Sequence, residues 1–202
     1  MAAEKRLPVT WLRRCQRTEL MASSEHIQSH PVAVHTYVAN DVLTILVQQG
    51  WLTTEPTTEL IAWSERAASL LGQFAIDTEG LAELLRLVFE YDAAKILERA
   101  DAHAVLARYA ARDVIRHLAL LLLDPAPLTS DRFKEMVTSL KEHLDLRGRE
   151  LFHPIRLALA GRAGEGELDR VILLLDDAAG LPFAASVKSA RTRVLEFCAA
   201  LD

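Results

Sequence analysis

Beyond residue 30 the apolar positions recur at spacings of three and four, the period of helices packed on one side. Leu60, Trp63, Ala67, Leu70 and Leu71 share one face of a helix that Thr57 or Thr58 can cap and Gly72 can end. Leu81, Leu84, Leu85 and Val88 predict a second helix over residues 78–89, whose start, DTEG, sets carboxylates where the helix dipole favours them. A short helix follows over 91–97. The spacing then predicts one long helix over 103–123, carrying Val105, Leu106, Tyr109, Val114, Ile115 and a run of leucines. Its end is apolar on more than one side, which marks it as central to the core, with His117 packed or hydrogen-bonded inside it. Upstream, Val32, Val34, Val38, Val42, Leu43, Ile45 and Leu46 suggest a helix ending at Gly50, although the β-branched residues leave a strand open over 32–38.

Asp124-Pro125-Ala126-Pro127 breaks the chain. Thr129 or Ser130 then caps a helix that turns Phe133, Met136, Val137 and Leu140 inward. A basic turn over 144–149 leads to a short amphipathic helix with Pro154 in its first turn and a stop at Gly161. There Ile155, Ala158 and Leu159 fall on one face, and Arg156 and Ala160 on another. Another helix is expected over 167–175. A last one starts at Ser186, with Val187, Ala190, Val194, Cys198 and Leu201 facing the core. The pattern is all-α, a multi-helix assembly of eight or nine helices. It divides into a partly helical N-terminal segment (1–50), a helical subdomain (51–124) and a C-terminal helical subdomain (125–202).

The formal charge of −5 argues against a strongly basic nucleic-acid binder, but it hides an asymmetry. Residues 132–162 hold seven Lys/Arg against four Asp/Glu, whereas 51–101 hold four against ten, so one basic face can still meet RNA. A short helix is expected over 9–20, and Lys5, Arg6, Arg13, Arg14 and Arg17 in and before it form a further basic cluster, which a solvated face suits better than RNA. Cys15 and Cys198 stand too far apart in a helical chain to suggest a disulfide, and no CxxC pair exists. His26, His30 and His35 lack an accompanying carboxylate or cysteine at ligand spacing and read as surface residues, so no metal and no cofactor is expected. The N-terminus has no apolar stretch of a secretory signal, and the longest apolar run, 118–123, is far short of a membrane span. That makes the cytoplasm the default location and membrane binding unexpected.

Phosphate-cradling and metalloprotease motifs are missing: there is no GxxxxGK[ST], no GxGxxG after a strand and no HExxH. The glycines of GRAGEG (161–166) merely link two helices. No nucleophile–base constellation can be assembled.

The motif LFHPIRLALAG (151–161) resembles the LF-x-P-[LI]-R-x-A-L-T-G signature near the C-terminus of bacterial-type glutamyl-tRNA synthetases. The likeness extends upstream through RFKEMVTSLKEHLDLRGRE and downstream through EGELDRVILLL, where the family shows GPEL. It covers roughly residues 92–176, thins towards Asp202 and fails over the first fifty residues. It implies the all-α anticodon-binding end of the synthetase. The HIGH-like and KMSKS-like signatures of the catalytic domain are absent, so the chain is not expected to be an enzyme on its own.

Recognition then remains. Anticodon bases are splayed out and read by edge hydrogen bonds and stacking, often on arginine. A guanidinium at the start of a helix, which is where the pattern puts Arg156, offers donors for base edges and attraction for phosphate. The resemblance points, residue by residue, to Arg156, Glu165, Gly166 and Leu168 at the anticodon loop. Arg147, Arg149 and Arg162 are candidates for phosphate contact. Ala160 stands where the family has Thr, and Gly166 where it has Pro, which leaves that loop more flexible. The implied partners are tRNA, tRNA-Glu foremost, and a separate catalytic synthetase chain. Two other readings stay open: a stand-alone helical module that keeps the fold but binds protein, and a fragment of a larger synthetase.

Overall fold

The structure, a computed structural model, describes residues 36–201. The expectations for the helix over 9–20, its basic cluster, Cys15, His26, His30, His35 and most of a strand over 32–38 lie outside these residues. Among the described residues there are eleven α-helices and one short 3-10 turn, and no strand.

α1 (Ala39–Gln48) packs on α2 (Thr58–Leu71), burying Val42, Ile45 and Leu46 against Leu60, Trp63 and Leu71. Thr57 caps α2 by accepting from the Leu60 N–H, as its position suggests. Gly72 does not stop the chain abruptly: its φ stays helical and the backbone tightens into a 3-10 turn (Gly72–Phe74). α3 (Thr78–Phe89) begins where the carboxylates place it, with Asp77 accepting from the Gly80 N–H at 2.8 Å. α4 (Ala93–Leu97) is capped by Asp92.

The long helix expected over 103–123 is in fact two, α5 (Ala100–Leu106) and α6 (Ala111–Leu121). The phase of the apolar residues explains the break. Ala102 and Val105 are buried on α5, and Ala111 and Val114 on α6, nine residues later in each case. At about 100° per residue, nine residues turn the helix by half a revolution. A continuous helix would therefore bury one stripe and expose the other. The chain resets its phase at Ala110, whose φ of +59° is left-handed. His117, expected in the core, is half-buried on the flank of α6, with its Nδ1 2.8 Å from the Asp113 carbonyl and its ring 4.7 Å from that of His143.

α7 (Ser130–Leu144) is capped by Thr129 and buries Phe133, Met136 and Leu140. α8 (Arg149–Ala160) starts earlier than expected, so Pro154 is its sixth residue rather than part of its first turn. The proline leaves only the Glu150 carbonyl without its helical donor, and Glu150 is exposed, where water can take that role. Gly148 (φ +55°) precedes the helix and Gly161 (φ +76°) ends it; a Cβ on Gly161 would also meet Ile96 at 3.0 Å. α9 (Gly166–Ile172) and α10 (Leu175–Ala179) follow, and α11 (Ala190–Leu201) closes the bundle.

α11 starts later than Ser186, and the core takes Ala190, Arg193, Val194 and Phe197 from it, with Cys198 and Leu201 only partly buried. Arg193 is the outlier: it is 0% exposed. Its guanidinium donates to the carbonyls of Leu87 (2.8 Å), Leu159 (2.8 Å), Lys188 (3.1 Å) and Val88. Leu87 and Val88 lie at the C-terminal end of α3, and Leu159 at that of α8, where carbonyls lose their intrahelical donors. One cation thus caps two helices at the ends where their dipoles favour positive charge. The Tyr91 ring lies 4.6 Å from the guanidinium, and its hydroxyl donates to the Ala158 carbonyl. Burial pushes the Arg193 pKa down to about 10, which leaves it charged at neutral pH, and pushes the Tyr91 phenol up.

Candidate RNA-binding site

The site region lies where α8 turns into α9. Gly161 ends α8 in the left-handed conformation, residues 162–165 cross over, and α9 begins at Gly166. Arg156 is the eighth residue of α8 and not its first turn, because the helix begins at Arg149. The residue is 7% exposed. The Asp169 carboxylate on α9 accepts from Nε at 2.7 Å and from Nη2 at 2.8 Å, and the Gly164 carbonyl accepts from Nη1 at 2.6 Å. This two-pronged pairing is the geometry that arginine and carboxylate favour. The Phe152 ring lies 4.9 Å from the guanidinium carbon. Arg156 therefore ties the crossover to α9.

Leu168 is buried beneath the same crossover; a Cβ on Gly164 would come within 2.8 Å of its Cδ1. Glu165 and Gly166 are exposed, and the Glu165 N–H donates to the Glu167 carboxylate at 3.1 Å. Of the three arginines expected at phosphate, all are exposed. Arg149, with 74% of its side chain in solvent, pairs with Glu165 at 3.2 Å, and Arg162 pairs with Glu83 at 3.4 Å. Exposed pairs of this kind hold little energy and can be exchanged for a phosphate. The structure thus brings Arg149, Arg156, Glu165, Gly166 and Leu168 together around one crossover, while Arg162 points to Glu83 of α3 and Arg147 stays on the basic turn before α8.

Sequence reasoning missed two features here. One is a cleft of about 320 Å³ beside the crossover, lined by Phe74, Phe133, Phe152, Lys134, Asp169 and Arg170 among others. The 3-10 turn, α7, α8 and α9 each contribute a side of it. Its signal was faint, since Phe133 and Phe152 follow the pattern of core residues. The other is His153, whose Nδ1 lies 3.2 Å from Arg108 Nη1. Burial, then the charges of Arg108, Arg149 and Arg156, hold this imidazole below its ordinary value, so Arg108 donates and the neutral ring accepts.

No group of three or more His, Cys, Asp or Glu suited to a metal occurs among the described residues. No helix among them is long and apolar enough to cross a membrane.

Comparison with known proteins bears directly on this crossover. Residues 42–177 match the family described as anticodon binding domain. The chain is 26% identical over 133 residues to a glutamate–tRNA ligase of Exiguobacterium sibiricum, which covers 66% of this chain and 27% of that enzyme. It is 34% identical over 77 residues to glutamate–tRNA ligase 2 of Syntrophus aciditrophicus, covering 38% of this chain and 16% of that one. The chain therefore spans about a quarter or less of the length of these relatives. No solved structure matches it. The match takes in α2 to α9 whole, with the crossover and the cleft inside it, and on that extent the chain belongs to the anticodon-binding domain family of the glutamyl-tRNA synthetase kind.

Proposed function

We propose that this chain binds the anticodon loop of tRNA-Glu at the cleft beside the 162–165 crossover, and that it serves a catalytic chain able to activate glutamate. The observation that carries the reading is the make-up of the cleft. Aromatic side chains (Phe74, Phe133, Phe152) and cations (Lys134, Arg170) are what an unpaired base with its phosphate requires, since bases stack on rings and phosphates seek cations. Both relatives are glutamate–tRNA ligases, which favours tRNA-Glu as the RNA. In this reading Arg156 acts on RNA through the crossover it holds, and Arg147, Arg149 and Arg162 supply phosphate contacts around it. Glu165 and Gly166 form the exposed edge, and Leu168 anchors it from below.

The test is binding of the full chain to a panel of tRNAs at several salt concentrations. The expected result is preference for tRNA-Glu. Arg156→Ala should weaken binding and flatten the preference, because the crossover loses its tie to Asp169 of α9. Absence of tRNA binding at low salt, or equal binding to every tRNA, would refute the reading. Adding the chain to a charging reaction with a catalytic synthetase chain tests the second partner; an unchanged rate counts against it.

A protein-binding role has one observation in its favour. Leu120 is 63% exposed on α6 and, with His117, Leu121 and His143, lines a cleft of about 240 Å³. It lies outside the crossover, so a Leu120→Lys variant that keeps full tRNA binding separates the two surfaces.

A further inference from the structure

The turn between α5 and α6 carries the feature that the crossover does not explain. Tyr109 sits in that turn, 89% exposed, with no hydrogen bond or ring contact among the described residues. A single exposed aromatic is ordinary on a protein surface. Three further observations set this one apart.

First, the backbone holds it in a defined place. The Ala111 N–H donates to the Arg108 carbonyl at 3.3 Å, and Ala110 takes the left-handed conformation that an alanine adopts only at a cost. Second, its neighbour Arg108 reaches across to His153 of α8, at 3.2 Å, so the turn is braced against the α8 helix of the site region. Third, the cations gather there. Arg108 immediately precedes the tyrosine and is exposed, and Arg112 is exposed on the first turn of α6. A ring with both faces in water, flanked by arginines, is the arrangement that stacks an unpaired base and holds the phosphate beside it.

We propose that Tyr109 is a stacking platform for an unpaired RNA base, with Arg108 and Arg112 taking the adjoining phosphate. The proposal rests on the tRNA-binding reading above, but it concerns a different surface. The α5–α6 turn would hold a nucleotide outside the cleft that reads the anticodon.

The test uses the full chain and two RNA probes: the anticodon stem-loop of tRNA-Glu, and the same stem closed as a blunt duplex with no unpaired bases. Tyr109→Ala should weaken binding of the stem-loop about tenfold, within the range for losing one base–aromatic stack. Tyr109→Phe, which keeps the ring, should stay within about twofold of the parent, because stacking does not need the hydroxyl. Duplex binding should be the same in all three proteins. The side chain is exposed, so the variants should also melt like the parent. Tyr109→Trp gives an independent readout, since indole fluorescence is quenched when a base stacks on it. Equal stem-loop affinity for Tyr109→Ala and the parent would overturn the proposal while leaving tRNA binding intact, and would point to a protein surface at this turn. Equal loss on stem-loop and duplex would overturn it too, because the residue would then act on the backbone of the RNA. If the parent binds neither probe, the tRNA-binding reading fails and this proposal with it.

Discussion

Replacing Arg193 by methionine removes a buried cation and leaves its acceptors behind. Four carbonyls, those of Leu87, Val88, Leu159 and Lys188, lose their donor. A hydrogen bond to a charged group contributes about 1.5–3 kcal/mol, and a buried acceptor left alone costs about 1–3 kcal/mol. Those contributions do not add in full, because neighbouring groups relax and water enters. An expected loss of roughly 3–5 kcal/mol is the range seen when one partner of a buried charged contact is removed. In a domain of this size each kcal/mol shifts Tm by about 2–4 °C, so the variant should melt roughly 6–20 °C lower. Arg193→Lys should fall between, since an ammonium has a compact set of three donors and cannot span carbonyls on two helices. Thermal melts followed by far-UV circular dichroism, with urea titrations for the free energy, supply the measurement. If Arg193→Met melts within about 2 °C of the parent, the two-helix cap is not a stabilising element and the argument fails.

Further outcomes follow from other parts of the molecule. Arg149→Ala should weaken all tRNAs alike and reduce the salt slope of binding by about one counterion, whereas loss of selectivity would show that it reads bases. Stability should decline as pH falls below 6.5, because the unfolded chain protonates His153 at its ordinary value while the fold holds it neutral to a lower pH. His153→Gln should flatten that slope in urea titrations between pH 7 and the onset of general acid unfolding; an unchanged slope would remove His153 as its source. Leu118→Pro should cost ~3 kcal/mol or more, since it lies within α6 and would break a helical hydrogen bond there. An unchanged melt would mean that this helix is misplaced.

Much of the fold was legible because local chemistry and apolar spacing agreed. Thr57, Asp77 and Thr129 each cap the helix that the spacing placed beside them, and the bounds of α3 match the reading from sequence. The split at Ala110 was legible too, in the half-turn offset between Val105 and Val114. The leucine run drew attention away from it by fitting a helix of any phase. Pro154 misled in another way: a proline suits a first turn, but the sixth position also tolerates it where only a solvent-facing carbonyl is affected. Arg193 was illegible for a stronger reason. Its acceptors come from α3, α8 and the segment before α11, and no sequence spacing reports that those ends converge. The crossover was found through its motif. Its cleft needed Phe74 and Arg170, which only the packing of four elements brings together.

The Arg193 junction has one more consequence. Each of its hydrogen bonds ends on a main-chain carbonyl, so the side chains at 87, 88, 159 and 188 do not take part in the pairing. Substitutions there alter packing but leave the acceptors in place. Such a joint constrains one residue tightly and the others only by size. Side chains at 87, 88 and 159 can therefore change, within the space available, without touching the hydrogen bonds that join α3, α8 and α11.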